Sequence, residues 1–197
     1  MIVAAATHLE ERAARKELSG LGVRVVQTGI GKGGRFNLPV ISCGLAGGLR
    51  RGVPSGTVLI PEEIARPNGE RIRCAPDLVE RLTAAARALG ENPLNDPLVT
   101  GMTLVRGEAR SQWAARGFAG VDMESGTLYA PKIAVVRVIL DTPEHELSDA
   151  WLKPATVFFR SRAWRELPWL ARNAPRFAHL AARIIRRALE DGSSAGI

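Results

Sequence analysis

Two acids carry the first chemical signal in this chain. Glu124 lies in the stretch Gly120-Val121-Asp122-Met123-Glu124-Ser125, and Asp141 follows directly on the apolar run at 133–140, IAVVRVIL. Paired carboxylates beside one sheet end are suited to two tasks, proton delivery to a leaving group and stabilisation of a positive charge that develops as a bond breaks. Each acid also has a plainer reading. Glu124 would serve as the dipole partner of a helix N-terminus, and Asp141 as the turn residue of Asp141-Thr142-Pro143.

The elements that must position these acids follow from the flanking residues. The run at 133–140 is rich in Val and Ile and lies between Pro131 and Pro143, the pattern of a buried strand in a parallel sheet. Asp141 is then the first residue beyond its carboxyl end, the edge at which open α/β sheets bind small molecules. Residues 123–130 hold helix formers and stop at Pro131, which predicts a short helix with Glu124 in its first turn. Upstream, the pattern predicts strands at 1–6, 23–27, 40–42, 57–61, 98–105 and 118–121, and helices at 9–18, 77–89 and 107–115. Strands alternating with helices imply an α/β fold, a three-layer αβα arrangement around a twisted, mostly parallel central sheet.

Two glycine clusters follow strands. The first, Thr28-Gly29-Ile30-Gly31-Lys32-Gly33-Gly34, formally matches the dinucleotide pattern GxGxxG, but Arg35 to Pro39 leads into another strand where a pyrophosphate-binding helix should begin. A nicotinamide or flavin site is therefore excluded, and the absence of GxxxxGK[ST] excludes a P-loop. The second, Cys43-Gly44-Leu45-Ala46-Gly47-Gly48-Leu49, offers small residues whose backbone amides can approach an anion or a sugar. Ser42 and Ser125 lack a neighbouring base for nucleophilic work, and His8, His145 and His179 are too scattered for a triad or metal cluster. Cys43 and Cys74 show neither CxxC nor Cys/His spacing, so no metal and no disulfide framework are expected.

At 197 residues the chain is long enough for one full core. Residues 1–150 are expected to form the α/β domain, 151–190 a basic, aromatic-rich helical extension broken at Pro154, Pro168 and Pro175 and packed on the same domain, and 191–197 a flexible tail. The extension holds nine basic residues against Glu166 and Glu190, enough to account for the whole net charge of +7. It also holds Trp151, Trp164, Trp169, Phe158, Phe159 and Phe177. Basic side chains interleaved with aromatics suit a membrane surface or, less specifically, nucleic acid; the plainer reading is a solvated helix whose aromatics pack on the core. Nucleic acid is disfavoured because the charge accompanies a complete enzyme-like core without a recognition motif. No secretory signal pattern and no apolar run of spanning length occur, so a cytoplasmic protein is expected, with membrane association only through 151–190.

Six short motifs occur in a telling order: Ala5-Ala6-Thr7-His8-Leu9-Glu10, Thr28-Gly29-Ile30-Gly31-Lys32, Gly44-Leu45-Ala46-Gly47-Gly48-Leu49, Gly56-Thr57-Val58-Leu59-Ile60, Val121-Asp122-Met123-Glu124-Ser125, and Val136-Arg137-Val138-Ile139-Leu140-Asp141. Over residues 1–141 this order resembles the nucleoside phosphorylase and nucleosidase superfamily. The VDMES stretch, the Asp-Thr-Pro turn and the Arg- and Leu-rich terminus look closest to its hopanoid-associated phosphorylases.

The resemblance implies cleavage of the bond between a base and ribose, here a purine nucleoside, with phosphate or water as acceptor and no cofactor. A 5′-substituted adenosine, hopanoid-linked in the closest branch, is the implied substrate. It implies that Asp141 protonates N7 of the purine, that Glu124 holds the ribose hydroxyls with Met123 packed on the sugar, and that Glu10 orients an attacking water. Leu104 and Val105 would lie against the base, with Leu104 where phenylalanine is common. Gly31, Lys32, Ser42, Gly44 and Leu45 stand at the acceptor or phosphate position. Ser42 and Leu45 replace the family's usual phosphate-gripping residues, which leaves Lys32, Arg35, Arg50 or Arg51 as substitutes. A homo-oligomer is implied as well. A non-catalytic nucleoside-binding relative remains the alternative.

Overall fold

The computed structural model describes residues 1–147 and 161–194, without the side chains of 161–165 and 192–194. In chain order the elements are β1 (Ile2–Ala5), α1 (His8–Glu17), β2 (Arg24–Gln27), β3 (Gly34–Arg35), β4 (Val40–Gly48), β5 (Val58–Leu59), β6 (Glu63–Ala65), β7 (Arg71–Arg73), α2 (Pro76–Ala88), β8 (Leu98–Thr100), α3 (Glu108–Ala115), β9 (Gly120–Asp122), β10 (Leu128–Tyr129), β11 (Ile133–Asp141) and α4 (Ser161–Ser194). The main sheet runs β2-β1-β4-β9-β8-β6-β7, with β11 pairing β4 and β5 off that path, and β3 pairs β10 in a separate ribbon. Most of its pairings are parallel; β4–β9, β5–β11 and β6–β7 are antiparallel. Helices cover both faces, so the fold is the expected α/β sandwich.

The long strands β4 and β11 form its spine. Ile41, Cys43, Val135, Val136 and Val138 are each almost fully buried, as the continuous apolar run at 133–140 requires. Their register sets Arg137 opposite Gly44 and Asp141 opposite Gly47, with a slip in pairing between Ile139 and Asp141. Asp141 is thus the last residue of the strand rather than the first beyond it.

Three expectations are corrected. The strand expected at 40–42 does not end at Ser42: β4 continues through the glycine cluster to Gly48, because partners on both edges bind its backbone and the missing side chains make room for neighbours. Residues 123–130 do not form a helix. Only a 3-10 turn at Ser125–Thr127 follows Glu124, and the chain then extends into β10 to pair with β3. Gly126 fixes that turn: its N–H donates to Thr100 Oγ1 at 2.7 Å, and a Cβ there would lie 2.9 Å from the same oxygen.

The third correction is in the terminal region. Pro168 and Pro175 do not break it, for both lie inside the single helix α4. A proline removes one backbone donor and crowds the preceding turn; packing against α1, α2, β4 and β11 offsets this, with Phe177, Ala178, Ala181, Ala182, Ile184 and Ile185 in the core. The helix includes 191–194, the start of the expected tail. Pro154, Trp151, Phe158 and Phe159 lie outside the described residues. Of the remaining aromatics with described side chains, Phe177 packs under Gly56 and Trp169 against the core and His145, as the plainer reading anticipates.

Candidate active site

At the carboxyl end of the sheet, α1, β4, β9, β11 and α4 enclose a cavity of about 520 Å³. Glu10, Glu124 and Asp141 all line it, although they lie far apart in sequence. Each carboxylate is at most 8% exposed, and each is held by a different device.

Glu10 is positioned by the start of a helix. Thr7 caps α1 in a reciprocal box: Glu10 N–H donates to Thr7 Oγ1, and Glu10 Oε2 accepts from Thr7 N–H at 2.9 Å and Thr7 O–H at 2.8 Å. With Oε2 engaged, Oε1 is turned toward β4 and accepts Leu45 N–H at 2.8 Å. The residue type that starts the helix also places the carboxylate in the site.

Glu124 is held from two sides. Gly31, at φ +67°, donates its N–H to Oε1 at 3.2 Å, a backbone conformation that favours glycine. Arg137 Nη2 stands 3.6 Å from Oε2. Burial, only partly countered by Arg137 and reinforced by the negative charges of Asp122 and Glu10, pushes the Glu124 carboxyl up from 4.5 to about 7.

Arg137 organises the floor. It is the lone charge in the apolar run of β11 and 1% exposed, so it must be paired. Nε and Nη2 donate to Asp122 Oδ2 at 2.9 and 2.7 Å, and Nη2 also reaches Ser42 Oγ and Ser125 Oγ. Burial alone would favour loss of its proton; Asp122, Glu124 and Glu10 outweigh that and keep the guanidinium charged. Its Nη1 is buried and makes no hydrogen bond among the described residues. Nη1 points toward the Glu10 side of β4: a methyl group on Gly44 would overlap Glu10 Oε1 and come within 2.5 Å of Nη1. Gly44 therefore keeps a small polar compartment between an acceptor oxygen and a charged donor.

Asp141 is bound by Arg110 of α3 through Oδ2. Burial raises the Asp141 pKa above the usual carboxylate range, and Arg110 works against that rise. Much of the remaining cavity wall is apolar. Leu167, Leu170, Ala171 and Ala174 of α4 join Leu147 and Ile30 there.

The remaining expected residues divide. Met123 and Leu104 line the cavity. Val105 is not in its wall; it packs against the small cluster of Leu49, Phe118 and Val121, and its carbonyl accepts from Arg110. Lys32 is exposed and also outside the wall. Gly31, Gly44 and Leu45 serve the carboxylates, and Ser42 belongs to the Arg137 network. Arg137, Asp122 and Arg110 are site-forming groups that were not among the expected site residues. A lone arginine within IAVVRVIL was a legible signal for the first two, since a buried charge demands a partner; nothing in the sequence marked Arg110.

Burial pushes the thiols of Cys43 and Cys74 up to about 12, so neither is a thiolate near neutral pH. No cluster of three or more His, Cys, Asp or Glu among the described residues could hold a metal ion, and no described helix is long and apolar enough to cross a membrane.

No protein-family model and no curated protein matches the sequence. Solved structures match the fold over nearly its whole length. The 5′-methylthioadenosine/S-adenosylhomocysteine nucleosidase of Neisseria meningitidis, in complex with methylthio-immucillin-A, superposes with a TM-score of 0.71 at 16% identity, covering 96% of this chain and 98% of that one. A futalosine hydrolase mutant of Helicobacter pylori gives 0.70 at 12% identity, with 96% and 98% covered. A methylthioadenosine nucleosidase from Weissella paramesenteroides, itself identified as putative, gives 0.68 at 16%, with 98% of both chains covered. This chain thus has the α/β fold seen in those three nucleosidase and hydrolase structures.

Proposed function

We propose that the protein is a nucleosidase of the nucleoside phosphorylase and nucleosidase superfamily, which hydrolyses the N-glycosidic bond of a purine nucleoside bearing an apolar 5′ substituent. The observation that carries this reading is the convergence of Glu10, Glu124 and Asp141 on one cavity, with Arg137 Nη1 directed to the Glu10 side.

In this reading Asp141 donates a proton to N7 as the C1′–N9 bond breaks and its electron pair moves into the base. Loss of an unprotonated purine anion is difficult, and protonation makes the base a neutral leaving group. Glu124 accepts hydrogen bonds from the ribose 2′ and 3′ hydroxyls, and its charge favours the oxocarbenium-like sugar. Water, oriented by Glu10 Oε1 and Arg137 Nη1, adds to C1′ and gives its proton to Glu10. The released sugar carries the new hydroxyl, and both carboxyls then re-equilibrate with solvent.

Water is favoured over phosphate by the charge at the acceptor position. Neither Arg137 nor Lys32 is in the cavity wall; Arg137, the cation on the Glu10 side, is paired with Asp122, and Lys32 is exposed. A dianion beside Glu10 and Glu124 would meet two carboxylates. The apolar side of the cavity, from Ile30 and Leu147 to the α4 face at Leu167 and Leu170, accommodates a hydrocarbon 5′ group. A hopanoid-linked adenosine belongs to that class. Leu9, Ile30 and Leu167 line the cavity while remaining 38–47% exposed, which supports release of such a ligand from a lipid surface.

Purified protein incubated with a series of 5′-substituted adenosines, with and without phosphate, tests the assignment. Free adenine without added phosphate, released faster as the 5′ group becomes more apolar, is expected. Release of no base from any substrate would leave a nucleoside-binding protein, and a strict phosphate requirement would make it a phosphorylase.

A further inference from the structure

Behind Asp141 lies a charged group that the chemistry above does not use. Arg110, in the first turn of α3, is 1% exposed and is absent from the cavity wall. Its Nη1 donates to Gly48 O of β4 at 2.6 Å, its Nε to Val105 O at 3.1 Å, and its Nη2 to Asp141 Oδ2. Glu146 lies on the far side, with Oε1 3.1 Å from Arg110 Nε and accepting Gly107 N–H at 2.7 Å. Arg106 stands 3.9 Å from the other Glu146 oxygen. The guanidinium therefore ties four segments together: the end of β4, the residue preceding α3 by one turn, the end of β11, and the loop beyond it.

We infer that Arg110 is a positioning residue for the reaction: it holds Asp141 through Oδ2, fixing the direction in which the carboxyl meets the base, and with Glu146 sets the pH range in which Asp141 carries a transferable proton. The inference rests on the reading of Asp141 as the purine acid. Its geometry is specific. Three of the four partners of Arg110 are backbone carbonyls and a loop carboxylate fixed by other elements, so the guanidinium cannot follow Asp141 if that side chain rotates. Oδ1 lies near Gly47, where a Cβ would meet it at 3.1 Å, so the glycine leaves that oxygen room on the β4 side, and Leu147 N–H adds a hydrogen bond to the carboxylate.

The charges facing Asp141 act in opposite directions. Arg110 favours the ionised carboxylate and Glu146 disfavours it by repulsion and by drawing on Arg110, with Arg106 moderating Glu146; Glu10, Asp122 and Glu124 add negative charge from the cavity side. A general acid must be protonated in the free enzyme, so kcat/KM falls as pH rises through its pKa. Removing Arg110 should then extend activity to higher pH, and removing the charge of Glu146 should shorten it.

The test is the kcat/KM profile of the wild type, Arg110→Met, Arg110→Lys, Glu146→Gln and Asp141→Asn. Arg110→Met is expected to move the alkaline limb up by about one to three pH units, as an opposite charge within a few ångströms does to a carboxyl. Its kcat should fall by up to about 100-fold through loss of orientation, with KM little changed. Arg110→Lys should return the limb toward the wild-type position, and Glu146→Gln, which leaves Arg110 intact, should move it down. An alkaline limb unmoved in both Arg110→Met and Glu146→Gln would overturn the inference. If Arg110→Met does not fold, a downward limb in Glu146→Gln supports it and an unmoved one overturns it. Wild-type rates in Asp141→Asn would instead remove the underlying assignment of the acid.

Discussion

Glu124 stands in the site at a cost that pH should reveal. Its folded-state carboxyl is pushed up from 4.5 to about 7, chiefly by burial. A carboxyl raised in this way binds a proton in the folded protein that the unfolded chain has already released, so stability falls as pH rises through that window. Below about 4.5 the penalty is absent, and above about 7 it is complete. At 1.36 kcal/mol per pH unit, the interval corresponds to about 3 kcal/mol. Glu124→Gln removes the titration. The amide keeps the acceptor for Gly31 N–H but turns a donor toward Arg137, a penalty that does not depend on pH. Urea denaturation of wild type and variant should therefore give a stability difference that shifts in favour of the variant by about 3 kcal/mol between pH 4.5 and 8. The variant should at the same time lose base release. Parallel stability curves across that range would show instead that Glu124 is not held in an environment hostile to its charge.

Further outcomes follow from the same geometry. Gly44→Ala would force a methyl group between Glu10 and Arg137; overpacking of this kind costs about 1–3 kcal/mol, and turnover should fall at least about 100-fold, checked by melting temperature and adenine release. Leu170→Lys places a charge on the apolar wall and should raise KM for apolar 5′ substituents at least about 10-fold while leaving kcat for adenosine within about 2-fold; equal KM effects on both would contradict the placement of the 5′ group. Flotation with anionic vesicles should recover the protein at low salt and release it at high salt, each basic residue at the surface contributing about 1 kcal/mol; no binding at low salt would remove the membrane contact without affecting the chemistry.

Much of the fold was legible because it rests on short-range pattern. The Val- and Ile-rich run at 133–140 has the pattern of a buried strand, and the helix expected at 9–18 is started by local hydrogen bonding between Thr7 and Glu10 that needs no distant partner. What failed was decided at long range. The strand at 40–42 was expected to stop before the glycine cluster at 43–49 because glycine weakens a strand, yet there the missing side chains are what admit Glu10, Arg137 and Asp141 beside β4. Residues 123–130 have helical propensity, but the pairing of β10 with β3 and the Thr100–Gly126 bond override it. Pro168 and Pro175 predicted breaks that burial of the α4 face against two helices and the sheet outweighs. Glu10, Glu124 and Asp141 stood out in the sequence because their motifs are local, and the fold brings them to one cavity. Arg110 did not stand out, since its importance arises only when α3 folds behind the end of β11 and brings it onto Asp141.

In the proposed reaction water, held between Glu10 and Arg137, is the group that takes the sugar. Hydrolysis of a 5′-substituted adenosine in 18O-enriched water, followed by mass spectrometry of the released sugar, tests this directly. One 18O atom at C1′, incorporated without phosphate and lost together with turnover in Glu10→Gln, is the predicted result. An unlabelled sugar, or a sugar 1-phosphate formed only when phosphate is supplied, would contradict it.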